Sequence, residues 1–136
     1  MSIDVQGLVL LYRDECLDLL RRKTFGRVGV TVGALPAVLP VNYRLVDDTT
    51  VFRIGHGTKL DAATNRAIVA FEVDDIDPLN HTGWSVMVTG EAQRVTDPAL
   101  LSQLENGGVP HWAHTEVDAT VAIPTTMVTG RRVGVP

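Results

Sequence analysis

A short stretch in the middle of the chain carries residue types that bind phosphate. Gly55-His56-Gly57-Thr58-Lys59 follows a short alternating strand, and Arg53 lies just before it. Two glycines let the backbone approach an anion closely, and Thr58, Lys59 and Arg53 supply a hydroxyl group and two positive charges. The residues that follow can begin a helix, whose N-terminal dipole attracts anions. The stretch predicts a phosphate site, although its spacing is not that of a Walker loop and a plain strand-to-helix loop is the alternative.

The composition fits one soluble globular domain spanning residues 1–136. The chain is 45% hydrophobic and 21% charged, with a net charge of −4, which argues against a large nucleic-acid footprint. The longest apolar run near the N-terminus, residues 8–11, is too short for a signal peptide or a membrane span. The single cysteine, Cys16, excludes an intrachain disulfide and fits a reducing compartment. We therefore expect a cytoplasmic protein that binds neither nucleic acid nor membrane.

The order of the elements predicts a mainly β fold with peripheral helices. A first helix is expected from an N-cap at Asp14, with Cys16 beside its apolar stripe, and a stop at Gly26. A last helix is expected to begin at Asp97-Pro98. Short turns between alternating segments favour antiparallel hairpins closed into a small barrel. The predicted strands are residues 27–32, 37–45, 50–54, 67–73, 83–95, 119–123 and 125–133.

Three details of this pattern affect the site. Pro40 inside the second strand indicates an edge or a bulge. The acidic residues 74–77 are interpreted as a solvated connection rather than a calcium loop. In the strand 83–95, Trp84 shares one face with Val86 and Val88, and Ser85 lies on the other. We expect one barrel to leave part of the Trp84 row unburied, which would make this strand part of a homodimer interface.

Other combinations of reactive residues are weaker. His111 and His114, near Glu116 and Asp118, resemble a metal site only loosely, because the H-E-x-x-H helix is absent. No nucleophile elbow with Ser-His-Asp order is present. We therefore predict no metal site and no catalytic residue from the sequence.

Several motifs in a fixed order resemble those of a known family. They are Phe25-Gly26-Arg27-Val28-Gly29, Pro40-Val41-Asn42-Tyr43, the stretch from Phe52 to Leu60, Ala70-Phe71-Glu72-Val73-Asp74, the stretch from Gly83 to Gly90, and Thr129-Gly130-Arg131-Arg132. Over about residues 8–135 the chain resembles short actinobacterial-type members of the pyridoxamine 5'-phosphate oxidase-like, flavin-binding split-barrel superfamily. The resemblance implies an antiparallel split β-barrel and a homodimer with a flavin in each of two clefts between the subunits.

The resemblance also implies roles for particular residues. Arg53, Thr58 and Lys59 would hold a cofactor phosphate, and backbone groups of Val41, Asn42 and Tyr43 would meet the polar edge of the flavin ring. Trp84 of the partner subunit would form an aromatic wall or rim, with Ser85 beside it. Arg131 is a candidate for the cofactor tail, and Arg132 is left without a role. Core packing for Trp84, a polar pair at the barrel end for Asn42 and Tyr43, and solvation for Arg131 are the alternatives.

Two classes of function follow from this interpretation. The first is an oxidoreductase acting on a small molecule, in which FMN, or alternatively the deazaflavin coenzyme, supplies the redox chemistry. The second is a non-catalytic flavin- or haem-binding protein that stores or senses its ligand. The chain is shorter than true pyridoxamine-phosphate oxidases and lacks their C-terminal substrate-phosphate residues, so activity on vitamin B6 does not follow.

Overall fold

Antiparallel strands make up most of the described chain, which is residues 2–3, 9–55, 58–107 and 118–134 of a computed structural model. The helices are α1 (Arg13–Arg22), α2 (Lys59–Ala63) and α3 (Pro98–Gly107). Within these ranges, no helix is both long and apolar enough to cross a membrane. The strands are β1 (Ser2–Ile3), β2 (Val9–Leu10), β3 (Phe25–Val32), β4 (Leu35–Val46), β5 (Thr49–Gly55), β6 (Ile68–Asp77), β7 (Thr82–Glu91), β8 (Gln93–Arg94), β9 (Asp118–Pro124) and β10 (Met127–Val133).

Two strands change partners and thereby close the sheet into a barrel. The strand order is β1-β2-β10-β7-β6-β3-β4-β5-β9-β8. β4 pairs with β3 as far as Asn42 and with β5 from Tyr43 onward. At the other side, β7 runs through Ala92 into β8, which pairs with β9. We call β1, β2, β10, β7, β6, β3 and the first part of β4 the first sheet, and the remaining strands the second sheet. The mainly β split barrel predicted from the sequence is confirmed.

Side chains that alternate along each strand build one core inside the barrel. Phe52, Phe71 and Tyr43 lie at its centre, with ring centroids 6.3 Å apart for Phe52 and Phe71 and 4.8 Å apart for Tyr43 and Phe71. Trp84 and Val86 are buried there as well. Each such side chain contributes roughly 1.5–3 kcal/mol when it leaves water. The expectation that the Trp84 row would remain partly unburied is therefore wrong: Val86 and Val88 are fully buried in the core and Trp84 is only 9% exposed.

Helix α1 closes one side of the barrel and begins two residues earlier than the sequence indicated. It starts at Arg13, with Tyr12 rather than Asp14 as N-cap. The Glu15 carboxylate accepts the Tyr12 N–H at 3.3 Å, which satisfies an otherwise unpaired donor of the helix end. Asp14 instead joins Glu15 in the first turn, where the helix dipole favours acidic groups. Cys16 is fully buried, as predicted.

The acidic residues 74–77 belong to β6 and are not a loop. Asp74 lies opposite Ser85 and Asp75 opposite Trp84, so the backbone ladder with β7 continues to the end of the strand. The carboxylates are accommodated because basic side chains meet them: Lys23 Nζ lies 2.8 Å from Asp75 Oδ2, and Arg27 pairs with Asp74. The predicted strand 83–95 is divided at Ala92, where the chain passes from the first sheet to the second.

Close packing of β10 on α1 predicts an effect of Gly130→Ala. A Cβ atom at Gly130 would lie 2.6 Å from Cys16 Sγ and 3.2 Å from Leu11 Cδ1. We expect this substitution to lower the free energy of unfolding by about 1–3 kcal/mol, as overpacked cores do. Urea denaturation measures the change. Adding Cys16→Ala removes the sulfur, so the double variant should lose less than the sum of the two single losses; strict additivity would show that the two positions do not meet.

Candidate functional site

The change of partner along β4 produces a gap that we call the split. The last residues in register between β4 and β5 are Tyr43 and Phe52. The next pair along the strands, Asn42 and Arg53, lies where β4 turns toward β3 and β5 continues beside β9. Both side chains are half-buried and on the outside of the barrel. Residues predicted to bind a cofactor therefore lie on both walls of the split.

Of the predicted trio Val41, Asn42 and Tyr43, only Asn42 presents polar groups to the split. The side chains of Val41 and Tyr43 are buried in the core, and the Tyr43 hydroxyl donates to the Leu20 carbonyl at 2.5 Å. Burial raises the pKa of this phenol. The Tyr43 N–H donates to the Thr24 carbonyl at 2.9 Å. Because N–H groups alternate in direction along a strand, the Asn42 N–H points to the opposite side, toward the split.

The edge of β4 that borders the split cannot add another strand easily. Backbone nitrogens at every second residue of β4 face away from β3, and Pro36 and Pro40 are two of these residues. Proline has no N–H, so neither can donate a hydrogen bond to an added strand. Proline on an unpaired edge blocks pairing with another chain. The prediction that Pro40 marks an edge agrees with this arrangement.

The phosphate stretch is only partly described. Thr58 is the N-cap of α2: its hydroxyl accepts the Asp61 N–H at 3.1 Å and donates to the Gly55 carbonyl at 2.7 Å. The single hydroxyl proton of Thr58 is thus already used, so a hydrogen bond from this hydroxyl to an anion would require a rotation that gives up the Gly55 carbonyl. His56, Gly57 and the side chain of Lys59 lie outside the described residues. Phosphate binding by Thr58 and Lys59 stays a prediction.

Helix α2 is held in place by an ion pair on its inner side. The Arg94 guanidinium donates to the carboxylate and the carbonyl of Asp61, and also to the Thr64 hydroxyl and carbonyl at 3.2 Å. Both side chains of the pair are largely buried. They border a pocket of about 530 Å³ that also includes Thr58 and Thr120. The pair fixes the position of α2 beside the strand end at Gly55.

The outer face of the first sheet carries Ser85 and Arg131 but not Trp84. Ser85 lies directly opposite Arg131 on β10 and Asp74 on β6. Trp84, by contrast, points into the core and is 9% exposed. The aromatic wall predicted from Trp84 is therefore not presented on this face. The alternating pattern of β7 places Trp84 with Val86 and Val88, and it is this row that the structure buries in the core.

Charged groups form an island in the middle of this outer face. Arg27 Nη1 lies 3.3 Å from Glu72 Oε1 and 3.3 Å from Asp74 Oδ2, and the Ser85 hydroxyl donates to Glu72 Oε2 at 3.2 Å. Partial burial and the neighbouring Asp74 raise the pKa of Glu72, more than Ser85 and Arg27 lower it. The sequence analysis did not identify this island. The signal was present, because Arg27, Glu72 and Asp74 all alternate with buried residues of their strands.

Apolar side chains surround the charged island. Val38 is 68% exposed, Met127 is 65% exposed, and Ile68 and Met87 are also exposed. A shallow concavity of about 310 Å³ lies among them, lined by Arg27, Gly29, Val38, Ala70, Glu72 and Asp74. Glycine and alanine at its base leave a flat apolar floor next to charged groups, a surface suited to a planar ring or a protein partner.

A further basic residue near the split was missed. Arg44 lies on the same outer face of β4 as Asn42, and its Nη1 atom is excluded from solvent without a hydrogen-bond partner in the described part of the chain. Its place in an alternating strand shows which face it occupies, but not that a neighbour would cover its guanidinium.

Metal ligation finds no support in the described residues, where no group of three His, Cys, Asp or Glu could hold an ion. His111 and His114 lie outside them.

The raised pKa of Glu72 predicts how stability changes with pH. A carboxyl group whose pKa is higher in the folded state stabilises the fold below its unfolded pKa, and this contribution is lost as the pH rises through the folded pKa. Glu72→Gln lacks that loss, so its free energy of unfolding relative to wild type should increase from pH 4 to pH 7. Urea denaturation at several pH values measures the difference.

A control with the opposite sign is available in the turn after β6. Hydrogen bonds from Asn80 and Leu79 lower the pKa of Asp77. Its stabilising contribution is present at neutral pH and is lost as the pH falls. Asp77→Asn should therefore approach wild type in stability at low pH and differ most near pH 7. A Glu72→Gln difference that is flat over the same range would contradict the raised pKa of Glu72.

Comparison with known proteins places this architecture in a family. The sequence profile of the family Pyridoxamine 5'-phosphate oxidase matches residues 12–132. The uncharacterized protein Rv0080 from Mycobacterium tuberculosis is 40% identical over 131 residues, covering 93% of this chain and 86% of Rv0080.

Solved structures agree with the sequence match. The FAD binding protein from Mycobacterium smegmatis is 35% identical with a TM-score of 0.76, covering 91% of this chain and 96% of that protein. The protein DIP1874 from Corynebacterium diphtheriae is 27% identical with a TM-score of 0.76, covering 93% and 98% of the two chains. The chain therefore belongs to the pyridoxamine 5'-phosphate oxidase family, whose flavin-binding split barrel is the fold described above.

Proposed function

We propose that this protein is a flavin-dependent oxidoreductase that holds a flavin nucleotide at the split, in a cleft closed by a second copy of the chain. The observation that carries the proposal is the split itself. It exposes the Asn42 N–H and the Arg53 guanidinium on opposite walls, next to the apolar outer face of the first sheet. Family membership supports the flavin.

The residues present fit the three parts of a flavin nucleotide. The polar edge of the ring needs hydrogen-bond donors, which Asn42 offers through its N–H and its side-chain amide. The ring face needs an apolar surface, which Gly29, Val38 and Ala70 provide. The phosphate needs cations, and Arg53 forms no ion pair with the described residues. Arg53 is therefore available to a ligand.

The chain's part in the reaction is to bind, orient and exclude water. A bound flavin supplies hydride and electron transfer itself, so no protein acid or base is obligatory. Arg53 would fix the phosphate end and Asn42 the ring edge, while the apolar surface and the second copy would keep water from the ring. The absence of a catalytic motif in the sequence is consistent with this division of labour. The small-molecule substrate is not specified by these residues.

The cofactor is proposed as FMN or FAD. FMN follows from the sequence interpretation, and FAD from the 35% identical relative that binds it. The deazaflavin coenzyme is the third candidate. Mass spectrometry of the small molecule released from the purified protein distinguishes the three.

We also propose that the protein works in the cytoplasm, as its single, buried Cys16 is consistent with a reducing compartment.

A second copy is the proposed partner of the outer face of the first sheet. Val38, Met87 and Met127 are exposed around the charged island on this face, and grouped exposed apolar side chains often mark a protein–protein contact. The charged island at its centre contains both signs, Arg27 and the carboxylates of Glu72 and Asp74. A two-fold axis through such a face places opposite charges near one another, so the surface is self-complementary.

The dimer proposal predicts that Val38→Asp produces monomers. A carboxylate at this position would be buried without a partner in each copy, at a cost on the order of 3 kcal/mol per subunit. Because Val38 is 68% exposed in the single chain, the barrel itself should remain folded. Light scattering at micromolar concentration measures the mass. Leu79→Asp is the matched control, since Leu79 is 88% exposed in the turn after β6 and lies away from this face.

The oligomer measurement has two contradicting outcomes. Wild-type protein that is monomeric at micromolar concentration would refute the dimer. If Val38→Asp and Leu79→Asp both remain dimeric, the subunits associate through another surface.

The flavin proposal predicts a phosphate-specific effect of Arg53→Met. The purified protein should show flavin absorbance that bleaches with NADPH. Removing one charge-assisted hydrogen bond should weaken FMN binding by roughly 10- to 150-fold, because such bonds contribute about 1.5–3 kcal/mol. Riboflavin, which has no phosphate, should bind almost as well as to wild type. Equal weakening of both ligands would place Arg53 away from the phosphate; flavin absorbance without any turnover would favour a storage or sensing role.

A further inference from the structure

We propose that Arg44 and Arg53 together form a diphosphate subsite on the outer face of the second sheet. The ligand would be the pyrophosphate of a dinucleotide, of which FAD is the one that fits the proposed function. The inference rests on that function only for the identity of the dinucleotide.

The two arginines lie within reach of one another. Arg44 is directly opposite Val51, and Arg53 follows Val51 by two residues on the same face of β5. Such diagonal neighbours are about 7–8 Å apart at the backbone, well within the reach of long side chains. Arg53 is at the split, and Arg44 is one step further from it, toward the apolar cluster of Val46, Val51 and Leu100. The pair therefore extends the proposed phosphate site along the sheet.

The burial of Arg44 calls for an anion. Its Nη1 is shielded from solvent, yet no acceptor meets it among the residues described. A guanidinium nitrogen that has lost water without gaining a partner is unfavourable, and a second positive charge nearby adds repulsion. The described side chains on this face are Asn42, Val46, Thr49, Val51, Gln93, Thr120, Ala122 and Pro124 beside the two arginines, and none of them is acidic. Asp118, at the start of β9, shares the register of this face, but its side chain is outside the described part of the structure. A bound anion between Arg44 and Arg53 would remove both penalties.

Two cations in a row match two phosphates better than one. A monophosphate at the split is already served by Arg53 and the neighbouring polar backbone. Arg44, further along the strand, would contact the second phosphate, and guanidinium groups bind phosphate oxygens in a bidentate manner. Arg44 would thus be a specificity determinant for a dinucleotide over a mononucleotide.

Thermal unfolding with inorganic pyrophosphate tests the site without any flavin. The full-length chain, dialysed to remove bound nucleotide, is compared with Arg44→Met and with Arg22→Met, which removes the same charge from an exposed position at the end of α1. We expect pyrophosphate to raise the Tm of wild type and Arg22→Met but not of Arg44→Met. Without ligand, Arg44→Met should unfold at or above the wild-type Tm, because an uncompensated charge has been removed.

Two results of this experiment would overturn the subsite. If Arg44→Met unfolds well below wild type without ligand, Arg44 is paired with a carboxylate of the chain itself. If pyrophosphate shifts all three proteins equally, or none of them, the anion binds elsewhere or not at all.

Nucleotide titrations identify the source of the diphosphate. FAD should bind Arg44→Met roughly 10- to 150-fold more weakly than wild type, while FMN is nearly unchanged. Equal weakening of FMN and FAD would contradict a second-phosphate role for Arg44. If Arg44→Met weakens the binding of NADPH and not that of FAD, the subsite belongs to the electron donor, and the assignment to FAD is overturned. A pyrophosphate response with no flavin binding would refute the proposed function and leave the anion subsite standing.

Discussion

The fold and its site both depend on the point at which β4 exchanges one partner for another. Backbone hydrogen bonds allow a strand only two neighbours, and β4 uses β3 up to Asn42 and β5 from Tyr43. Inside the barrel the exchange is stabilised by Tyr43, whose hydroxyl is fixed to the Leu20 carbonyl and whose ring packs on Phe71. Outside, the same exchange separates Asn42 from Arg53. The buried position of Tyr43 and the opening of the split therefore both result from the change of partner along β4.

The outer face of the first sheet is the surface through which we propose that two copies associate. Alternation along β3, β6 and β7 buries one set of apolar residues in the barrel and leaves a second set exposed around Arg27, Glu72 and Asp74. Exposing such a face to water is unfavourable, and a second copy of the chain is the partner that we propose for it. The split lies at the border of this face. A second copy bound to the face would therefore cover one side of the split, while the second sheet and α3 would form its other side.

Much of the barrel followed from local pattern, but the direction of its faces did not. Alternation with a period of two located the long strands, and Gly, Pro and Asp residues located turns between them. It separated the apolar row of Trp84 from the more polar row of Ser85 and Met87, but it did not show that a single barrel buries the Trp84 row, because that depends on packing between elements far apart in sequence. The N-cap moved from Asp14 to Tyr12 because a carboxylate from Glu15 satisfied the helix end. The strand β6 continued through its aspartates because Lys23 and Arg27 come near them only in the folded chain.

The site was predictable to the extent that its residues are close in sequence. Arg53 and Asn42 were identified from the glycine stretch and the Pro40 motif, and the structure brings them to the two walls of one gap. Arg44 was not, since its significance comes from burial without a partner, a property of the packed sheet. Thr58 was identified as a ligand, whereas its hydroxyl is occupied in capping α2.

Native mass spectrometry of the purified protein tests the central claim most directly, because it counts chains and cofactors in the same particle. A flavin held in a cleft between two copies predicts a particle of two chains carrying two flavin nucleotides, which separates into chains without flavin when the dimer is dissociated. Single chains that retain a flavin, or a stable dimer that neither contains nor takes up any, would contradict the account.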